Sequence, residues 1–542
     1  MNRRVLISSL PLAGVLVAAC GPQQTADRTT GSTPAAGGAS ATGAPSTQNQ
    51  AGKPQKGGTL TMAMARDATN FDPLRQNDVY SAVVLNNVAD TLYEIDSKGS
   101  VVGRLVEKTE NPQPNVYVMT LRKGIKFSDG TDLNAEAVKF NLERHMTNAQ
   151  SVRNQDVKDI TAIEMPDPFT VRITLKTAFA PFATKLTGGA GYILNPKAVQ
   201  ALGEGLQRDL KDAGSGAYKF VSWQKDTAVT LERNTTYWKK DTDGSALPYL
   251  DRLVFKPFPD ENVRLTNLRT GDADALIANP PYKDISDLKK DTNLNVNEVP
   301  GIGWQLIFLN TSVEPFNNAA VRRAFSYAID RAQVQQTVFF GNGNALGTPV
   351  MPSIPWANLK DDPFMKRDLA KARQEMQAAG KSTVKFALQI SNASPELQQT
   401  AELIKDQIKD VGLDMEIQLL EFATVVANGG SGAHQSLALG WSGDVDPDTL
   451  YSLLYTGAGF NFGKYSNPQM DKLLADGRAT VEQAKRADIY KELQRLSYTE
   501  VPFITYFNAP QIATTRKSVQ SWPNTYNGYW GTRDLDKAWK RS

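Results

Sequence analysis

Residues 384–441 carry VKFALQI at 384–390, SPELQQTAELIKDQIKDVG at 394–412, LDMEIQLLEF at 413–422 and SLALGW at 436–441. The first, third and fourth pieces read as strands, and the second as a helix closed by Gly412. A short helical stretch fills the gap before SLALGW. Strand, helix, strand, helix, strand with short links predicts a doubly wound, largely parallel α/β sheet. In such sheets ligands collect beyond the carboxyl ends of the strands. The segment GWSGDVDPDTL, Gly440 to Leu450, sits at the end of the third strand, which makes it the first place to look for a site.

That segment holds aspartates at 444, 446 and 448. A calcium loop of the EF-hand kind starting at Asp444 would want glycine sixth and glutamate twelfth, and Thr449 and Tyr455 stand there instead. Asp446 followed by Pro447 is a helix-start signal, and Asp448 in the first turn suits the helix dipole. Asp444 is left without a local structural task. Trp441 ends the strand between Gly440 and Gly443, which would let a ligand approach the backbone. Trp304, in GIGWQLIFLN, is balanced between packing and a pocket role, and His434, in the polar loop NGGSGAHQ, is expected at the surface.

Catalytic patterns are missing from the sequence. His145 and His434 are the only histidines and have no cysteine near them, so no metal site is expected. There is no G-x-S-x-G elbow, no P-loop and no G-x-G-x-x-G opening a helix, while paired carboxylates for glycoside hydrolysis stay open. The near-balanced charge, +3 over 542 residues, argues against a nucleic-acid binder.

The N-terminus places the protein outside the cytoplasm. Arg3 and Arg4 precede an apolar run from Val5 to Ala19, too short for a span of about 20 residues and shaped like a signal peptide. Val17-Ala18-Ala19-Cys20 looks like a bacterial lipobox, so 1–19 would be removed and Cys20, the only cysteine, lipidated. Residues 20–55 lack large apolar side chains and are expected to be a disordered tether. Beyond them, VYVMTLRKGIKF (116–127) and FTVRITLK (169–176) alternate as strands do. Between them Asn134 caps a helix with Val138, Leu142 and His145/Met146 on one face.

Several longer segments carry a resemblance. LRKGIKFSDGTDLNAEAVKFNLER (121–144), GSGAYKFVSW with LERNTTYW, NTSVEPFNNAAVRRAFSYAIDR (310–331), AELIKDQIKDVGLDMEI (401–417) and GWSGDVDPD follow in order. The chain thereby resembles the family 5 extracellular solute-binding proteins of bacterial ABC transporters, the oligopeptide, dipeptide and nickel-binding type. Ala217 departs from the proline more usual there. The resemblance implies an α/β, two-lobed, periplasmic-binding-protein-like fold (type II, cluster C) with an extra domain inserted in the first lobe. Lobe I would comprise 56–93, 213–309 and 500–542, the insertion 94–212 and lobe II 310–499, with hinge crossings near Phe308–Asn310 and Glu500–Pro502.

The resemblance further implies a monomeric receptor without enzyme activity or cofactor, held to the membrane by its lipid anchor. It would carry a small solute, above all a peptide, to permease subunits. Gly440, Trp441 and Asp444 fit the pattern whose aspartate holds a peptide's α-ammonium, with Trp304 a further wall residue. No arginine lies between Gln374 and Gly477, where dipeptide-type relatives clamp the ligand carboxylate. A sensing or scaffolding lipoprotein, or a receptor for an oligosaccharide, opine or metal chelate, is the competing reading.

Overall fold

The helix of the decisive stretch forms as Pro395–Ile408 for local reasons. The Ser394 side chain accepts from the Leu397 N–H, and Pro395 stands in the first turn, where its missing N–H costs nothing. Leu397, Ala401, Ile404 and Ile408 recur at helical spacing and are all buried. Each of the leucine and isoleucine side chains taken from water contributes about 1.5–3 kcal/mol. The helix tightens into a 3-10 turn, Lys409–Val411, and stops at Gly412, whose φ is 84°. A Cβ at 412 would also lie 2.2 Å from the Ser382 carbonyl oxygen, so both conformation and space demand glycine. The turn delivers Leu413–Leu420 alongside Val384–Ser391 in parallel register.

The computed structural model describes residues 53–299, 301–350, 352–392, 394–441, 443–523 and 532–541. The leader, Cys20 and all but the end of the tether lie outside the described residues. Among these residues, no helix is long and apolar enough to cross a membrane.

Three large sheets organise the chain. The first has seven strands, in the order Leu294–Val299, Gln511–Arg516, Ala275–Ile277, Thr59–Met64, Arg252–Pro257, Ala228–Arg233, Tyr218–Gln224. The second has six: Asn344–Ala345, Phe503–Asn508, Trp304–Leu309, Ser436–Trp441, Val384–Ser391, Leu413–Leu420. A third, antiparallel and four-stranded, runs Val106–Gln113, Val116–Leu121, Thr170–Leu175, Ile160–Asp167. The helix Ala135–Thr147 packs on this third sheet, capped by Asn134 as its sequence suggests.

Two expectations need correction. The second sheet is mixed rather than largely parallel. Its three strands from the decisive stretch are parallel, but Trp304–Leu309 runs antiparallel to both of its neighbours. That strand arrives directly from the first sheet, with no helical crossover to turn it around. The crossings between sheets also move. Phe308 pairs with Phe503 and Ile307 with Ile504 inside the second sheet, so both apolar runs belong to its core. The chain therefore crosses around 301–303 and 509–510, not at 308–310 and 500–502. The two crossings touch: a Cβ on Gly301 would lie 2.0 Å from the Ala509 carbonyl oxygen. Asn508 Nδ2 braces the first crossing by donating to the carbonyls of Gly301 and Gly303, at 3.0 and 2.8 Å.

Candidate functional site: a charged cleft at the crossings

Two cavities of about 410 and 430 Å³ adjoin where the chain passes between the sheets, and Ile302 borders both. Trp304, Gly440 and Trp441 line the smaller one. Trp304 and Trp441 face each other across neighbouring strands. Trp441 is half-buried and packs edge-on against Phe460, with ring centroids 5.0 Å apart. Trp304 is only 2% exposed and belongs to the core, yet its indole N–H is buried with no hydrogen-bond partner. Packing thus dominates at Trp304, with one polar atom left unsatisfied at the cavity. Gly443 is fixed by close approach, since a Cβ there would lie 1.6 Å from the Ile302 carbonyl oxygen.

Asp444, Arg153, Lys185 and Arg533 line the larger cavity. Asp444 is engaged on both oxygens: Oδ2 meets Lys185 Nζ at 3.0 Å, and Oδ1 accepts the Val445 N–H at 2.8 Å. Lys185 ends the short helix Phe182–Lys185, which lies in the region of the four-stranded sheet, so this pair joins distant parts of the chain. Burial works against the Lys185 charge, but the carboxylates of Asp444, Asp448 and Asp156 outweigh it and raise the ammonium pKa. Burial raises the Asp156 pKa, with Lys185 and Arg153 pulling the other way and Asp444 and Asp448 adding to the rise.

The other two aspartates stand at the helix start as expected and carry a second task besides. The helix is Thr449–Leu454, with Asp448 at its cap position but without a side-chain capping bond. Asp446 Oδ1 accepts the Asp448 N–H at 2.9 Å, and both Asp446 oxygens receive Arg486, at 2.8 and 2.9 Å. Asp448 receives Arg478 through Nε and Nη2, both at 2.9 Å. The Arg478 guanidinium lies 3.6 Å from the Tyr451 ring centroid, and its carbonyl accepts the Ala180 N–H at 2.8 Å. Fork-to-fork pairing of this kind fixes position as well as charge.

His434 is buried rather than at the surface, with Nδ1 3.1 Å from the Asn428 carbonyl oxygen. The polar loop around it folds inward. Among the described residues no cluster of His, Cys, Asp or Glu is arranged to hold a metal ion. Arg153, Lys185 and Arg533 carried no motif in the sequence, and only the fold brings them to Asp444.

Comparison with known proteins agrees with this architecture. Residues 100–462 match the family described as "Bacterial extracellular solute-binding proteins, family 5 Middle". The chain is similar to the glutathione-binding protein GsiB of Escherichia coli (strain K12), at 29% identity over 487 residues, covering 87% of this chain and 91% of that one. It is also similar to the solved structure of the periplasmic binding protein DppA from Helicobacter pylori in complex with the peptide STSA. There the TM-score is 0.74 at 24% identity, over 90% of this chain and 99% of that one. The oligopeptide-binding protein AppA from Bacillus subtilis, in complex with a nonapeptide, superposes with TM-score 0.73 at 23% identity, over 90% and 100% of the two chains.

Proposed function

Because the chain belongs to the bacterial extracellular solute-binding proteins of family 5, a family of binding proteins rather than enzymes, we propose that it captures a peptide in this cleft and delivers it to an ABC transporter permease. In this reading the first and second sheets are the cores of two lobes, the four-stranded sheet belongs to an insertion, and lipidated Cys20 holds the protein at the extracytoplasmic face. Ligand that touches both lobes favours the closed state by its higher affinity for it. No covalent step is required.

One observation carries the reading: the Asp444 carboxylate at the end of the second sheet already holds an ammonium, that of Lys185, at 3.0 Å in the cavity. A peptide α-ammonium has the same charge and the same three donors, and would take that place. Gly440 and Trp441 then form the adjoining wall, with Trp304 behind Trp441. The similarity to peptide- and glutathione-binding proteins supports a peptide as the solute.

The test is calorimetry with trialanine and its N-acetylated form. Wild type is expected to prefer the free amine by tenfold or more, worth about 1.4 kcal/mol, and Asp444→Asn to lose that preference. Equal binding of both forms by wild type would refute the ammonium role. Mass spectrometry showing a neutral sugar carried by the purified protein would refute the peptide class.

A further inference from the structure

Two arginines on the wall of the larger cavity lack what arginines normally find. Arg533 is 4% exposed, and among the described residues it makes no ion pair within 4 Å and no hydrogen bond. Glu94 feels its charge, but Glu94 is already held by Arg104 at 2.7 Å and Lys239 at 3.3 Å. Arg153 has a buried Nε without a partner, and its Nη2 reaches only the Gln76 carbonyl, at 3.5 Å. Both guanidiniums border the same turn. A Cβ on Gly188 would lie 3.7 Å from Arg533 Nη2, and one on Gly189 2.9 Å from Arg153 Nε. Side chains at either position would crowd the groups that the glycines leave bare.

A guanidinium keeps its charge at any working pH and carries five donors in a planar fork. Burying one unpaired is costly, and two such groups at one turn repel each other. The acids nearby do not resolve this. Asp78 Oδ1 accepts from the Ser81 N–H and its Oδ2 from the Thr69 hydroxyl. Asp444 is taken by Lys185. Asp156 interacts with Arg153 and Lys185 through space, and among the described residues its carboxylate makes no hydrogen bond to either side chain.

We propose that Arg533 and Arg153, across the Gly188–Gly189 turn, form an anion subsite that receives a carboxylate of the captured solute. The proposal rests on the transport-receptor reading and adds the second half of a zwitterion's recognition: ammonium at Asp444, carboxylate at the two arginines. The carboxylate comes from a peptide C-terminus or from an acidic side chain, and the chemistry is the same for both.

Calorimetry with trialanine, trialanine amide and alanyl-glutamyl-alanine amide tests it on wild type, Arg533→Gln and Arg153→Gln. Loss of the C-terminal carboxylate should weaken wild-type binding tenfold or more if the C-terminus is the source. Rescue by the glutamyl side chain would assign the source to that group. In Arg533→Gln the difference between acid and amide should shrink to less than twofold. Glu94 keeps Arg104 and Lys239 in that variant, so the substitution strands no partner. Thermal melts with 20–50 mM succinate, against chloride of equal ionic strength (roughly one Debye regime), give a readout independent of peptides. Succinate should stabilise wild type and fail to stabilise Arg533→Gln. If wild type favours the free amine but treats acid and amide alike, the subsite is wrong and the receptor reading stands. If no peptide binds, the receptor's peptide reading falls, and the succinate melts alone decide the subsite: equal shifts in wild type and Arg533→Gln overturn it.

Discussion

Replacing Asp446 by asparagine should damage folding far more than the same change at Asp444, although the two lie two residues apart. The Asp446 and Arg486 side chains are 8% and 7% exposed. Two hydrogen bonds at 2.8 and 2.9 Å join them, and Arg486 Nε donates to the Gly477 carbonyl at 2.8 Å. Burial disfavours the Arg486 charge, and Asp446 more than offsets it, so the guanidinium pKa is raised. Removing the negative charge leaves a buried cation with only neutral acceptors. Breaking such a pair costs about 3–5 kcal/mol, and an amide that keeps one acceptor oxygen belongs at the low end, about 3 kcal/mol. The Asp444–Lys185 pair is 28% and 21% exposed on its two sides, and its loss should cost about 1 kcal/mol or less. At roughly 1 °C per kcal/mol for a body of this size, Asp446→Asn should melt about 3 °C below wild type and Asp444→Asn within about 1 °C. Calorimetric melts of the two variants, with circular dichroism in urea as a second probe, measure this directly. If Asp446→Asn melts with wild type, or Asp444→Asn falls as far as Asp446→Asn, the division of labour between these aspartates is wrong.

Two further outcomes follow from particular residues. Burial, with Arg144 nearby, pulls the His145 pKa down to about 4 from 6.5, so the unfolded chain binds this proton first as the solution is acidified. Its contribution is therefore complete above about pH 6.5 and drains away toward pH 4, by up to about 3 kcal/mol, and His145→Gln should flatten that slope in urea titrations across the window. Cys20→Ser should move the mature protein from membranes to the soluble extracytoplasmic fraction, and unchanged membrane association on fractionation would end the lipid-anchor proposal.

What the sequence disclosed was local. The cap at Ser394, the proline after it, the spacing from Leu397 to Ile408 and the stop at Gly412 all lie within one window, so the strand–helix–strand order of 384–420 could be read directly. The same kind of reading put Asp446 and Asp448 at a helix start but missed the partners of their carboxylates. Aspartate, proline, aspartate is a helix-start pattern in any short window, and the arginines that claim the two carboxylates stand 40 and 30 residues later. The crossings implied by the resemblance fall inside the second sheet instead, because Ile307 and Phe308 pair there with Ile504 and Phe503, a long-range pairing that no short window shows. His434 looked exposed because its neighbours are polar, and polarity of neighbours says nothing about where a loop folds.

The cleft is the extreme case of this limit, because Arg153, Lys185, Asp444 and Arg533 come from four separate segments and no window contains two of them except the first pair loosely. Their arrangement nonetheless constrains what can bind. On the proposed reading, a ligand ammonium that takes the place of Lys185 at Asp444 Oδ2 displaces it, while Oδ1 keeps the Val445 N–H. A released Lys185 lies on the same cavity wall as Arg153 and Arg533 and joins them as a third cation. A neutral ligand could not drive that exchange, because it would leave three cations facing each other in a partly buried space. A simple amine would satisfy Asp444 and leave Lys185 facing Asp156 and Asp448 without its hydrogen bond to Asp444. A solute with both an ammonium and a carboxylate satisfies both ends in one event. The proposed reading therefore favours a zwitterion over a simple amine, because the ligand carboxylate would offset the cation that the exchange releases.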